Sequence, residues 1–265
     1  MNFHRVAAVL LRYAYLIRGS LSRVFPLFTW VAIDMVLWGY LTRYLNTITT
    51  SNFVPTLLGA VLLWNFFIRV MQGVTMIFFE DVWSRNFLNV FSTPISVGEY
   101  LLGLVLSSVT TSLIGLGVML ALATAVFGFS GMAYGAMAIP FLLVLFVYGI
   151  SMGILGCALV LRLGPAAEWF IWPIPALLSP FVGVLYPLDI LPAWMREVAR
   201  VLPASYVFES LRSLVLGHAV SFAPVLWGMG LAGLHLFAAC WVFRAVFRRA
   251  VRTGLIARYS SESIS

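Results

Sequence analysis

The 265-residue chain contains no lysine; all sixteen of its basic side chains are arginine. A phosphate-cradling loop of the G-x-x-x-x-G-K-[S/T] kind needs a lysine on the β and γ phosphates, so hydrolysis of ATP by such a loop is excluded here. Charge of either sign is also scarce. Charged residues make up 9%, against roughly a quarter in an ordinary soluble domain, which leaves lipid rather than water to face much of the surface. Only two cysteines occur, Cys157 and Cys240, each deep in an apolar run. They support neither a disulfide framework nor a metal site.

What is present is apolar: 62% hydrophobic residues, 15% aromatic, and a mean hydropathy of +1.03. The net charge is +7, but the arginines stand beside apolar spans, where basic residues mark the cytoplasmic side of a membrane, so no nucleic-acid partner is expected. The expectation is a single all-α polytopic membrane domain over residues 1–265. Stretches of about 20 apolar residues fall at 24–44, 55–79, 99–127, 135–161, 169–186 and 222–243, six transmembrane helices in all. An even number puts both termini on one side. Eleven arginines (Arg5, Arg12, Arg18, Arg23, Arg85, Arg162, Arg244, Arg248, Arg249, Arg252, Arg258) fall on that side and four (Arg43, Arg196, Arg200, Arg212) on the other, which makes both termini cytoplasmic.

Residues 1–23 read as a helix rather than a cleavable signal, because four arginines interrupt any apolar core. At about 100° per residue, Arg5, Arg12 and Arg23 share one face while Val6, Leu10, Tyr13 and Ile17 form a stripe on another, the pattern of a helix lying in the membrane interface. A helix packed on a partner would show the same pattern.

Two connections are longer than a turn. In the cytoplasmic one, residues 80–98, Trp83, Phe87 and Val90 follow i, i+4, i+7 on a short helix ended by Thr93-Pro94. Such an aromatic stripe suits a groove on a cytoplasmic partner or the bilayer surface, and spacing alone does not choose between them. The extracytoplasmic one, residues 187–221, is broken by Pro192 and Pro203 and reads as a re-entrant hairpin of two short helices. Pro192 suits the first helical position and Ser205 an N-cap, with the second helix closing at Gly217. Trp194, Met195, Val198 and Leu202 would dip into lipid while Arg196, Glu197 and Arg200 stay wet.

Inside the membrane, Asp34 and Arg69 each lie ten residues from the cytoplasmic ends of the antiparallel first and second spans, about 15 Å deep. An unpaired charge there costs about 2.5–3.5 kcal/mol or more, so shared depth predicts a pair, which either lines a translocation path or braces two helices. Ser107, Ser108, Thr110, Thr111 and Ser112 would hydrate a passage in the third span or bond their own backbone. His218 and His235 have no second ligand nearby in sequence, and Gly149-x-x-x-Gly153 permits close helix packing. The fifth span carries Trp169, Phe170, Trp172, Phe181 and Tyr186 among Pro173, Pro175 and Pro180, so its freed carbonyls need cover or line a cavity. The adjacent pair Glu80-Asp81 has no histidine beside it, which argues against a membrane-embedded enzyme. A secondary transporter, an alternative reading, would show inverted repeats that the hydropathy does not display.

From Ser179 to Gly217 the chain reads Ser179-Pro180, Tyr186-Pro187, Leu191-Pro192-Ala193-Trp194, Leu202-Pro203, Tyr206 and Glu209-x-x-Arg212. This run resembles the C-terminal signature of permease subunits of ABC type-2 exporters, the group that includes lipo-oligosaccharide, antibiotic-resistance and polysaccharide export permeases. Thr93-Pro94-Ile95-Ser96, followed by Glu99 and Gly103, is similar to that family's second motif. The resemblance covers essentially the whole chain. It implies a multi-pass protein of the bacterial inner membrane, paired as a homodimer or, less often, a heterodimer, surrounded by membrane lipids and joined to two copies of a separate ATP-binding cassette ATPase. That partner would bind ATP and Mg, and this chain would carry no cofactor and no catalytic residue. The coupling contact to the ATPase would use Trp83, Phe87, Val90, Phe91, Thr93 and Pro94, and an extracytoplasmic gate would use Tyr186, Pro187, Pro192, Trp194, Glu209 and Arg212. The expected cargo is an amphipathic molecule such as a lipid-linked saccharide, a lipo-oligosaccharide or a hydrophobic drug.

Overall fold

The computed structural model describes residues 2–19, 21–48, 54–84, 86–218 and 221–254, and all regular structure in them is helical. Arg85 and Arg258, two of the arginines used above for orientation, lie outside the described residues, as do the side chains of Ile17 and Arg23. The order is α1 (Phe3–Arg18), α2 (Leu21–Ile48), α3 (Gly59–Trp83), α4 (Phe87–Ser92), α5 (Val97–Phe127), α6 (Ala138–Leu163), α7 (Ile174–Val182), α8 (Ala193–Val201), α9 (Pro203–Val215) and α10 (Phe222–Arg252). Among the described residues, four segments are long and apolar enough to cross a membrane: Thr56–Trp83, Val97–Phe127, Tyr134–Leu163 and Phe222–Arg252. They coincide with the second, third, fourth and sixth expected spans. The first expected span falls inside α2, whose 28 residues reach about 42 Å.

The core is built on α3 and α6. These two carry the densest buried faces and sit between α5 on one side and α10 on the other. Their contact depends on glycine. A Cβ on Gly149 would lie 2.8 Å from Val70 and 3.0 Å from the Phe67 carbonyl, and one on Gly153 would lie 2.8 Å from Val74 and 2.9 Å from the Met71 carbonyl. The small-residue motif is therefore spent inside the chain, on α3. Phe67 stacks on Tyr148 across the same seam with ring centres 5.1 Å apart.

Of the third-span hydroxyls, Ser107, Ser108 and Ser112 face this core, while Thr110 is exposed. Ser108 donates to the Val70 carbonyl at 2.8 Å, Thr110 and Thr111 bond their own helix, and Ser107 and Ser112 are buried. His235 turns its Nδ1 to the Leu231 carbonyl and packs edge-on to Tyr148, and no metal-ligating cluster exists among the described residues. Outward faces of α2 and α10 are apolar: Trp30, Leu37, Tyr40, Trp227, Phe237 and Trp241 are all exposed, as lipid contact requires.

The expected fifth helix, 169–186, is not continuous. A 3-10 turn (Pro165–Phe170), a bend and the nine-residue α7 replace it, closed by Gly183 at φ 64°. Pro165, Pro173 and Pro175 can open short helices but cannot continue one, and Pro180 removes a further donor. The broken segment still climbs along α3. Ile171 packs beside Gly156 and Thr75, while Val184 lines the same groove as Val61, about 21 Å further along that helix.

Residues 187–218 form the expected pair of short helices with different chemistry at their starts. Pro192 precedes α8 as its N-cap, and Pro203 occupies the first turn of α9. Ser205 is not the cap; its hydroxyl donates back to the carbonyls of Ala199 and Leu202 and fastens the two helices at their corner. Leu202 is buried in that corner, Trp194 and Val198 are exposed, and Arg196, Glu197 and Arg200 are exposed.

Candidate functional site: coupling platform, lateral groove and outer hairpin

The platform lies at the end of the molecule where α1, α3, α4 and α5 meet. Ser96 and Glu99 start α5 with a reciprocal capping box, Ser96 Oγ accepting from the Glu99 amide at 3.2 Å and Glu99 accepting from the Ser96 amide at 2.9 Å. The other Glu99 oxygen accepts from the Asn2 amide at 2.6 Å, and Arg5 lies 3.6 Å from the same carboxylate while donating to the Pro94 carbonyl. Seven residues on, Arg12 pairs with Asp81 at the end of α3, and Tyr100 donates to the second Asp81 oxygen at 2.7 Å. Arg5 and Arg12 of α1 are thus tethers to carboxylates, while Arg18 at its end is exposed.

The apolar side of α1 packs inward as well. Val6 and Val9 are buried, and a Cβ on Gly103 would lie 2.7 Å from Val9, so that glycine admits α1 against α5. Hence the second motif has a local explanation: Ser96 and Glu99 cap the helix and bind α1, and Gly103 makes room for it. Neither tether is visible from spacing, because Arg12 and Asp81 are 69 residues apart.

The aromatic stripe is not on one helix. Trp83 ends α3, the register breaks at Ser84, and Phe87 begins α4. Phe87 is fully buried against Phe78, Phe91 and Tyr100, and Phe91 packs on Phe247 of α10 with ring centres 4.7 Å apart. Trp83 is half exposed and donates its Nε1–H to Glu168 at 2.8 Å, tying the platform to the turn after α6. Among the described side chains on and just after α4, Asn89, Ser92, Thr93 and Pro94 are exposed. The expected exposed stripe is therefore corrected. Its Phe87 is a core anchor, which together with Phe91 holds this short helix to the bundle.

A lateral groove of about 510 Å3 runs between α2, α3 and the broken α7 segment. Asp34, Asn65 and Gln72 line it together with Trp38, Trp64 and Trp172. The Asp34 carboxylate accepts from the Asn65 amide, one turn away from Arg69. Arg69 is buried and lays its stem against Gly115 of α5. The depth of Asp34 was legible in the sequence. Its contact with Asn65 was not, since depth alone does not fix which residue of α3 it faces.

At the opposite end, Glu209 accepts from the Leu188 amide at 2.9 Å and from Arg212 at 2.7 Å, so it pins the chain entering α8 to α9. Gly183 allows this closure: a Cβ there would meet Leu188 at 2.8 Å and Arg212 at 3.2 Å. Tyr186 donates to the Pro180 carbonyl at 2.8 Å, Pro187 is exposed, and Trp194 packs on Phe181. Of the expected gate residues, Glu209 and Arg212 form a bonded corner with the Leu188 amide, whereas Tyr186 bonds the Pro180 carbonyl and Trp194 lies on α8 against Phe181.

Comparison with known proteins agrees with this architecture. A family model described as ABC-2 type transporter matches residues 9–216. Nodulation protein J of Rhizobium meliloti (strain 1021) is 26% identical over 160 residues, 59% of this chain and 55% of that protein. Nodulation protein J of Rhizobium leguminosarum bv. trifolii is 26% identical over 161 residues, 59% of this chain and 58% of that protein. The chain therefore spans little more than half the length of these curated relatives. The matched region runs from α1 through α9, taking in the platform, the groove and the outer hairpin, and the chain belongs to the ABC-2 type transporter family of membrane permease subunits.

Proposed function

We infer that the chain is the permease subunit of an ATP-driven exporter for an amphipathic molecule carrying a saccharide or a comparably polar head. The lateral groove carries this reading. Asp34, Asn65 and Gln72 offer hydrogen bonds to a polar head at membrane depth, while Trp38, Trp64 and Trp172 beside them offer flat apolar faces to rings or chains. Lipid-exposed aromatic residues on α2 put the groove within reach of the bilayer, from which such a cargo would enter.

The energy source in this proposal is external. Without lysine the chain lacks a phosphate loop of the usual kind, and the family membership supports a separate ATP-binding cassette subunit that holds ATP and Mg. We place two copies of that subunit under two copies of this chain, against the polar face of Asn89, Ser92, Thr93 and Pro94. Through Asp81, Arg12, Tyr100 and Glu99, a push on this segment moves α1, α3 and α5 as one unit, and the groove wall on α3 moves with them. The termini are then cytoplasmic, the membrane is the bacterial inner membrane, six segments cross it with the fifth broken by proline, and the α8–α9 hairpin re-enters from outside as a gate.

Purification of the tagged chain from cells co-expressing its neighbouring ATPase, followed by reconstitution in vesicles, tests the reading. ATP-dependent movement of a fluorescent glycolipid should occur with the intact ATPase and vanish with a hydrolysis-dead one. Absence of any associated ATPase, or movement without ATP, would overturn it.

A further inference from the structure

The C-terminal end of α10 carries a dense, unbalanced positive charge. Arg244, Arg248, Arg249 and Arg252 are all exposed, and none of their guanidinium groups makes an ion pair or hydrogen bond with a described residue. No acidic residue stands between the first and the last of them. The end of α6 adds to the patch. That helix runs in the same direction as α10, with Val144 beside Gly228 and Tyr148 beside His235, so the exposed Arg162 comes level with Arg249.

Packing sets where these cations point. Phe243 turns inward onto Phe78 and Phe247 onto Phe91, and Ala250 is buried. At about 100° per residue, Arg244, Arg248 and Arg252 then share the far side of the helix with Leu234, Phe237 and Trp241, which are all exposed. One continuous row thus changes from apolar to cationic between Trp241 and Arg244. Depth decides which cations matter. The apolar run 222–243 is about 33 Å long and matches a hydrocarbon core of about 30 Å. Arg244 therefore stands at the edge of the core and Arg248 about 6 Å further out, both within a head-group layer about 5–8 Å thick, while Arg252, about 12 Å out, lies past it.

Two guanidinium groups one turn apart repel each other when free, and each can fork onto a phosphate. Trp241 is the residue type that settles at the boundary just above such a phosphate. A Cβ on Gly98 would meet only Arg244, at 3.9 Å, so the start of α5 leaves the space beside that guanidinium open. The tail beyond the helix brings no counter-charge, since the side chains of residues 255–265 include one arginine and one glutamate. The α4 surface assigned above to the ATPase lies on the other side, beyond Phe247 and Phe91. We propose that Arg244 and Arg248 form a binding site for the phosphate of an anionic phospholipid whose chains lie along Leu234, Phe237 and Trp241. The site requires that α10 cross a bilayer, not that the chain export anything.

The test loads the full chain, purified in a neutral detergent, with phosphatidylglycerol or phosphatidylcholine of matched chains and counts retained lipid by native mass spectrometry. A neutral micelle has no surface potential, so retention reports a site. Phosphatidylglycerol should be retained over phosphatidylcholine, and Arg244→Gln combined with Arg248→Gln should weaken it roughly twentyfold, at about fivefold per basic residue. The thermal midpoint should not move, because both side chains are exposed. Arg249→Gln combined with Arg252→Gln removes the same charge away from the pair and should cost about threefold at most. Equal retention of the two lipids, or equal losses from the two double variants, overturns the proposal. Competition by inorganic phosphate as effective as that by the lipid overturns it too, in favour of a free-anion site. A lipid preference that emerges only after removal of residues 255–265 would make the tail the occupant and also overturn it. ATPase copurification is scored separately: its loss in the Arg244 and Arg248 double variant, with no lipid preference in the parent chain, would replace the lipid by a protein contact.

Discussion

Replacing Arg12 by alanine tests the claim that the N-terminal helix is an ionic part of the platform and not a passive interfacial anchor. The Asp81 side chain is 2% exposed and that of Arg12 33%. Stripping one partner from a fully buried pair costs about 3–5 kcal/mol, because the remaining charge is stranded, whereas an exposed pair is worth about 0–1 kcal/mol. With Arg12 one-third exposed and Tyr100 still donating to Asp81, the expected loss is about 2 kcal/mol, or about 5 °C in midpoint for a chain of this size. Fluorescence-detected thermal unfolding in detergent reads that shift. The sharper measurement is a double-mutant cycle: Asp81→Asn removes the charge that Arg12 neutralises, so adding it to Arg12→Ala should recover about 1 kcal/mol or more. In the assembled transporter, Arg12→Ala should also lower export at normal ATPase copurification, since α1 and α5 no longer move with α3. An unchanged midpoint together with strictly additive single losses would refute the tether.

Phe87→Ala should behave as a core mutation, with a loss of about 3–5 kcal/mol and low folded yield rather than selective loss of the ATPase; normal yield with failed copurification would restore the exposed-stripe reading. Conversely, Asn89→Arg combined with Thr93→Arg, both on the exposed side of the α4 segment, should leave yield intact and reduce copurification in pull-down. Gly153→Leu should abolish folded monomer as read by size exclusion, because the new side chain must occupy space held by Val74 and the Met71 carbonyl; a folded monomer that merely fails to pair would show the motif to be intermolecular. Glu209→Ala strands the Leu188 amide and Arg212, and should lower transport per folded molecule more than it lowers ATPase binding. Equal transport per folded molecule would assign that corner to folding alone.

Much of this protein is readable without coordinates because the bilayer imposes simple rules. Apolar runs of span length overlap the four long helices α3, α5, α6 and α10, although α10 continues nine residues beyond its run, since lipid allows only backbone satisfied within its own segment. Prolines announced that residues 187–218 could not be one helix, and the alternation of apolar and basic residues announced α1. The missing lysine alone ruled out a lysine-bearing phosphate loop. Other features are decided only by packing. Whether Phe87 points out or in depends on a break at Ser84 that periodicity cannot see, and on the aromatic pocket of Phe78, Tyr100 and Phe91 that receives it. Asp34 accepts from Asn65 across the seam between α2 and α3, a contact set by how the two helices are rotated. Arg12 meets Asp81, and Glu99 meets Asn2, across separations of 69 and 97 residues. A sequence states which side chains need partners and how deep they lie, but partner choice is a matter of angstroms between helices, and only the assembled tertiary structure supplies those distances.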